Sequence, residues 1–177
     1  MEIKIADAIM YGRLKEYKSR SIMIKDLIVG MLPKARELLD FGDDFGISIR
    51  CIRPKSFIAI DGVYSDARKV LEINPRVDTL NSAIQTFAHE LVHAEQFKQG
   101  RLKSDFADVY KQEPIWVWED KLQVSPSTIK DFESYRKLPW EVEAFDRQNK
   151  ITEELFYSYQ AAGGDSMAKL VDKYATI

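Results

Sequence analysis

A chain of 177 residues with 45% hydrophobic and 31% charged residues has room for one domain around a sizeable core and has ordinary soluble composition. A formal net charge of -2 leaves no overall basic footprint for nucleic acid. No apolar run approaches the roughly 20 residues that span a bilayer, and the N-terminus lacks the apolar core of a signal peptide, so a single cytoplasmic domain over residues 1–177 is expected, with no membrane partner.

Residues 1–36 carry eight Lys/Arg against four Asp/Glu, an imbalance that a solvated helix face accounts for. From Ile22 to Phe41, the positions Ile24, Leu27, Ile28, Met31, Leu32, Leu38 and Leu39 predict an amphipathic helix, with Pro33 as a kink or break. Phe41 to Gly46 reads as a turn. Three short runs rich in Ile, Val, Phe and Tyr follow, Gly46–Arg53, Ser56–Ser65 and Arg68–Asn74, separated by Pro54-Lys55 and Asp66-Ala67. They predict an antiparallel meander with Ile58, Ile60, Val70 and Ile73 toward the core. One strand must be an edge, to which an extended peptide can add as a further strand. Cys51, the single cysteine, is expected to be a buried thiol.

The next helix carries the chemistry. Leu80, Ile84, Phe87 and Leu91 recur at helical spacing, with Asp78 as the expected N-cap and Gly100 just past the end. Inside it lies His89-Glu90-Leu91-Val92-His93, an H-E-x-x-H string containing both histidines of the chain. Residues four apart on a helix project side by side, so two imidazoles can grip one zinc ion while Glu90 stands ready as general base toward an attacking water.

Residues 101–138 are less periodic. Within them, Trp116 and Trp118 alternate with Ile115 and Val117 as in a strand; core packing is the simpler role and lining a cleft the functional one. Pro139 then suits the first turn of a helix running to about Gln160, where Gly163-Gly164 breaks it, and Ser166 to Tyr174 reads as a short terminal helix. Glu141 and Glu143 sit in the first turn of the long helix, where the helix dipole also favours carboxylates.

Catalytic zinc usually has three protein ligands and one open position. With no third histidine the remaining ligand is expected to be a carboxylate, and Glu141 lies 48 residues after His93. His89-Glu-Leu-Val-His93 followed by Glu141-x-Glu143-Ala144 resembles the gluzincin zinc metallopeptidases, especially small bacterial and phage ones reading H-E-L-x-H-x-x-Q and later P-x-E-x-E-A. The likeness covers roughly residues 78–100 and 135–150.

That resemblance implies an α+β, zincin-like (minimal gluzincin) fold, with a small antiparallel or mixed sheet packed on the metal-binding helix and further helices. It implies Zn2+ bound by His89, His93 and Glu141, because Glu141 is followed three residues later by the small Ala144, with Glu143 as the alternative ligand. It also implies Tyr135 as hydrogen-bond donor to the oxyanion, Tyr110 being the other candidate. The family often has Asp or Asn where this chain has Phe145, so Asp146, Gln96 or a backbone carbonyl is expected to orient the histidines. The expected activity is zinc-dependent endopeptidase action on a protein or peptide substrate. The alternatives are a catalytically silent zinc-binding domain serving as a protein-interaction module and, with little support from the charge, a DNA-associated protease.

Overall fold

The computed structural model of the chain describes residues 3–5, 15–41, 46–49, 61–108 and 113–174. The expectations for Cys51, Ile58, Ile60 and Tyr110 lie outside these residues.

The predicted first helix is α1, Lys15–Leu38, longer at its start and unbroken. Its buried stripe is Ile24, Leu27, Ile28, Met31 and Ala35, one side of a 3.6-residue period. Pro33 is accommodated on the exposed side, and the carbonyl four residues back, whose helical bond it removes, belongs to half-exposed Val29, where water can serve it.

Strands β1 (Ile3–Ile5), β2 (Gly46–Ile49), β3 (Gly62–Ser65) and β4 (Val70–Ile73) form one sheet in the order β1-β2-β4-β3. This corrects the expected antiparallel meander. β2 pairs in parallel with β1 and β4, and only β3 and β4 form an antiparallel hairpin, closed by a turn in which Lys69 takes a positive φ of 49°. Alternating apolar residues specify a half-buried strand whichever way its neighbour runs. Of the two residues expected to face the core here, Ile73 is buried, beside Leu71, Ile47 and Ile49, while Val70 is only partly covered.

Helix α2, Leu80–Lys98, is the predicted helix that carries both histidines. Its cap is Thr79 rather than the expected Asp78: the Thr79 hydroxyl accepts from Ser82 N at 2.9 Å. At the other end Gly100, at φ 69°, lets Gly100 N and Arg101 N return to the carbonyls of Phe97 and Gln96 at 3.0 Å each, closing the helix and throwing Arg101 back along it. Every residue from Phe87 to Gln96 is buried, so α2 is the central helix of the fold.

A second, antiparallel sheet consists of β5 (Leu102–Asp108), β6 (Glu113–Trp118) and β7 (Leu122–Val124). The sequence pattern exposed only the β6 part of it. Helices α3 (Phe132–Arg136), α4 (Pro139–Ala161) and α5 (Met167–Tyr174) complete the chain. α4 lies against both α1 and α2 and buries Trp140, Ala144, Ile151 and Leu155. The architecture is α+β, with a small mixed sheet, a small antiparallel sheet and several helices. Among the described residues no helix is long and apolar enough to cross a membrane.

Candidate metal centre

On α2, His89 and His93 stand one turn apart with their rings edge to face, centroids 4.7 Å apart, and their Nε2 atoms 3.1 Å from each other. The first turn of α4 brings Glu141 to the same point. Its Oε2 lies 3.2 Å from His89 Nε2 and its Oε1 3.3 Å from His93 Nε2. Glu141 is 2% exposed, and ligand atoms of the three residues all lie within 4.8 Å of one another, a group that could hold a metal ion.

The far side of each imidazole is also occupied. His93 Nδ1 faces Gln96 Oε1 at 2.9 Å, and His89 Nδ1 faces Gln148 Oε1 at 3.0 Å. An amide oxygen accepts, so each ring can keep a proton on Nδ1, the tautomer that leaves the Nε2 lone pair for a metal ion at this point. Two imidazole nitrogens and a carboxylate are a zinc-type donor set. Donors about 2.0–2.1 Å from a tetrahedral ion stand about 3.4 Å apart, close to the separations here. The residues therefore could hold a metal ion of that size.

Without a metal, His93 and Glu141 share a proton. Burial pushes the His93 imidazole down, but the adjoining Glu141 charge and hydrogen bond, with Glu90 and Gln96, raise it to about 9. Burial likewise pushes the Glu141 carboxyl up, and the charge of His93 with the hydrogen bonds of both histidines brings it down to about 2. Both shifts say that the proton sits on the imidazole.

Glu90 is buried beside this group and free of it. Its Oε2 accepts the backbone N–H of Tyr64 in β3 at 2.7 Å. Strand and helix come this close because position 62 is glycine: a Cβ there would collide with the Thr86 methyl and come within 3.0 Å of Glu90 Cγ. Burial raises the Glu90 pKa, the neighbouring histidines and the Tyr64 amide lower it, Glu141 raises it, and the net shift is upward. Tyr135, near the end of α3, is within hydrogen-bonding reach of Glu141. Burial and the charges of Glu141 and Glu90 push its pKa well above the usual phenol value, so it stays an O–H donor.

The structure thus brings His89, Glu90, His93, Tyr135 and Glu141 together and turns Glu143 elsewhere. Glu143 takes both Nη atoms of Arg101, at 2.6 and 2.9 Å, and Arg147 Nη1 at 2.8 Å. Partial burial pushes its carboxyl up, but these hydrogen bonds and charges hold it at about 2. Of the three groups considered for orienting the histidines, Gln96 reaches His93, whereas Asp146 is exposed and makes no described contact with either ring. Gln148 was not foreseen. The signal was available, since it lies two turns from Glu141 on the stripe that continues to Ile151 and Leu155. Trp116 and Trp118 pack their rings against buried Trp140, centroids 5.7 and 6.3 Å away, just before Glu141. Comparison with protein-family profiles, with curated proteins and with solved structures finds no match.

Proposed function

We propose that this chain is a zinc-dependent metallopeptidase of the zincin-like, gluzincin kind, with His89, His93 and Glu141 as metal ligands, Glu90 as general base and Tyr135 as donor to the oxyanion. The observation that carries the reading is the convergence of two Nε2 atoms and the Glu141 carboxylate beside a buried carboxylate, Glu90, that is not part of the group. A purely structural site has no use for that second acidic group. Zinc, when bound, supplies Lewis acidity that polarises a carbonyl and lowers the pKa of water to about 7.

The chain's own residues account for the rest. Gln96 and Gln148 hold both imidazoles with Nε2 inward. Glu90, with its upward-shifted pKa, takes a proton from the attacking water and returns it to the leaving nitrogen. Tyr135 keeps its proton and donates a hydrogen bond to the oxygen that becomes negative in the tetrahedral state. β3, the end strand of its sheet among the described residues, offers an edge next to Glu90 along which an extended peptide can lie.

Glu90→Gln tests this. The amide keeps the shape but cannot take the proton, so hydrolysis of a quenched-fluorescence peptide library falls at least about 10²-fold while zinc stays at one per chain. Equal hydrolysis by wild type and variant removes the base. Zinc binding with no hydrolysis by wild type leaves the silent, protein-binding zinc domain as the better reading.

A further inference from the structure

A charged cluster touches the metal centre and has no part in the scheme above. Arg101, just past the end of α2, grips Glu143 of α4 with both Nη atoms and lays its guanidinium over the Trp118 ring, 5.1 Å from the centroid. Arg147, one turn further along α4, joins Glu143 to Glu95 of α2. An isolated surface ion pair contributes little, but this is a bidentate pair inside a network that spans two helices and a strand.

Its link to the metal centre is Gln96. This side chain is 0% exposed, and its Nε2 lies 3.1 Å from the Trp140 carbonyl and 3.3 Å from Glu143 Oε2. Carbonyl and carboxylate only accept, so the amide nitrogen must be on that side and the oxygen must face His93 Nδ1. A neutral imidazole has one N–H. The orientation of Gln96 therefore biases which nitrogen of His93 keeps its lone pair, against Glu141 and His89 on the Nε2 side. Turned over, Gln96 would offer an N–H to Nδ1 and leave the proton on Nε2, which then could not bind a metal.

We infer that Glu143 is a positioning residue: held by Arg101 and Arg147, it fixes the Gln96 carboxamide one way round and so biases His93 toward the Nδ1–H tautomer, with Nε2 toward His89 and Glu141. The inference rests on the metallopeptidase reading only in taking a metal to be what Nε2 meets. Of the two acceptors on Gln96 Nε2, Trp140 supplies a neutral one and Glu143 the charged, stronger one.

The chain has only two histidines, so ¹⁵N imidazole spectra resolve each ring. The experiment compares wild type, Glu143→Gln and Gln96→Met, first metal-free at a pH where His93 is neutral, then by zinc titration against a chelating dye. Wild type is expected to hold a larger share of His93 as the Nδ1–H tautomer than either variant, against the pull of the Glu141 carboxylate and His89 on an Nε2–H. Glu143→Gln is expected to lower that share, leave His89 unchanged and weaken zinc binding about tenfold. Gln96→Met leaves every charge of the network in place and is expected to do the same to at least that extent, which keeps the test open if the first variant folds poorly. A His93 tautomer unchanged in either folded variant overturns the inference, and so does weaker zinc binding without a tautomer change. A wild type that binds no zinc but shows the Glu143-dependent tautomer supports the positioning role and sinks the peptidase reading.

Discussion

The backbone N–H of Tyr64 donates to the Glu90 carboxylate at 2.7 Å, so the proposed base is tethered to the strand proposed to receive substrate. The tether exists because Gly62 lets β3 lie directly on α2. Gly62→Ala should lift the strand, because the obstructing Thr86 methyl belongs to a β-branched side chain on a helix and has little freedom to move. We expect a stability loss of about 1–3 kcal/mol by denaturant unfolding, near-normal zinc content and greatly reduced hydrolysis. Full activity in this variant would show that the spacing of strand and helix has no bearing on Glu90.

Zinc uptake should compete with a proton. The metal-free His93 pKa of about 9 means that a proton must leave the ring when a metal binds. Apparent zinc affinity should therefore rise with pH up to about 9 and then flatten. The same shift has a stability consequence in the metal-free chain. A pKa raised from 6.5 to about 9 contributes stability fully below 6.5, which is lost as pH rises through about 9. Denaturation midpoints with and without zinc across that window check both statements, and a zinc affinity independent of pH would contradict them.

Glu143 acts at the other end of the scale. Its folded pKa of about 2, against an ordinary 4.5, contributes stability that is present above 4.5 and lost as pH falls toward 2. Glu141 adds to the same window in the metal-free chain. Acid unfolding of Glu143→Gln should thus be less steep between about pH 4.5 and 2 than that of wild type, as read by circular dichroism.

Tyr135→Phe removes one O–H and little volume. Loss of one donor to an oxyanion typically costs about 10²-fold or more in kcat, and we expect a fall of that order with KM nearly unchanged and zinc still bound. Unchanged turnover would confine Tyr135 to packing and to its contact with Glu141.

Leu155→Ala, on the part of α4 remote from Glu141, probes the core alone. The side chain is 0% exposed, and its truncation should cost about 2–5 kcal/mol in denaturant unfolding while zinc stoichiometry stays at one per chain. Loss of zinc at temperatures where this variant remains folded would mean that the α2–α4 packing tunes the site at a distance.

The features legible in the sequence are those set by residues near one another in the chain. Helical period puts His89 and His93 on one face of α2 with Glu90 beside them, Pro139 and the Gly163-Gly164 pair bound α4, and the stripe through Ile24 to Ala35 marks the buried side of α1. What only the tertiary structure decided depends on long-range pairing. Alternating apolar residues leave strand direction open, so the parallel β1-β2-β4 arrangement and the placing of β3 on α2 at Gly62 came from burial of Ile47, Ile49, Leu71 and Ile73 against the helices. Glu141 and Glu143 lie about 200° apart around their helix, and local sequence favours both in a first turn. The burial of Trp140 and Ala144 turns Glu141 to the histidines and leaves Glu143 to Arg101, a partner delivered by the chain reversal at Gly100.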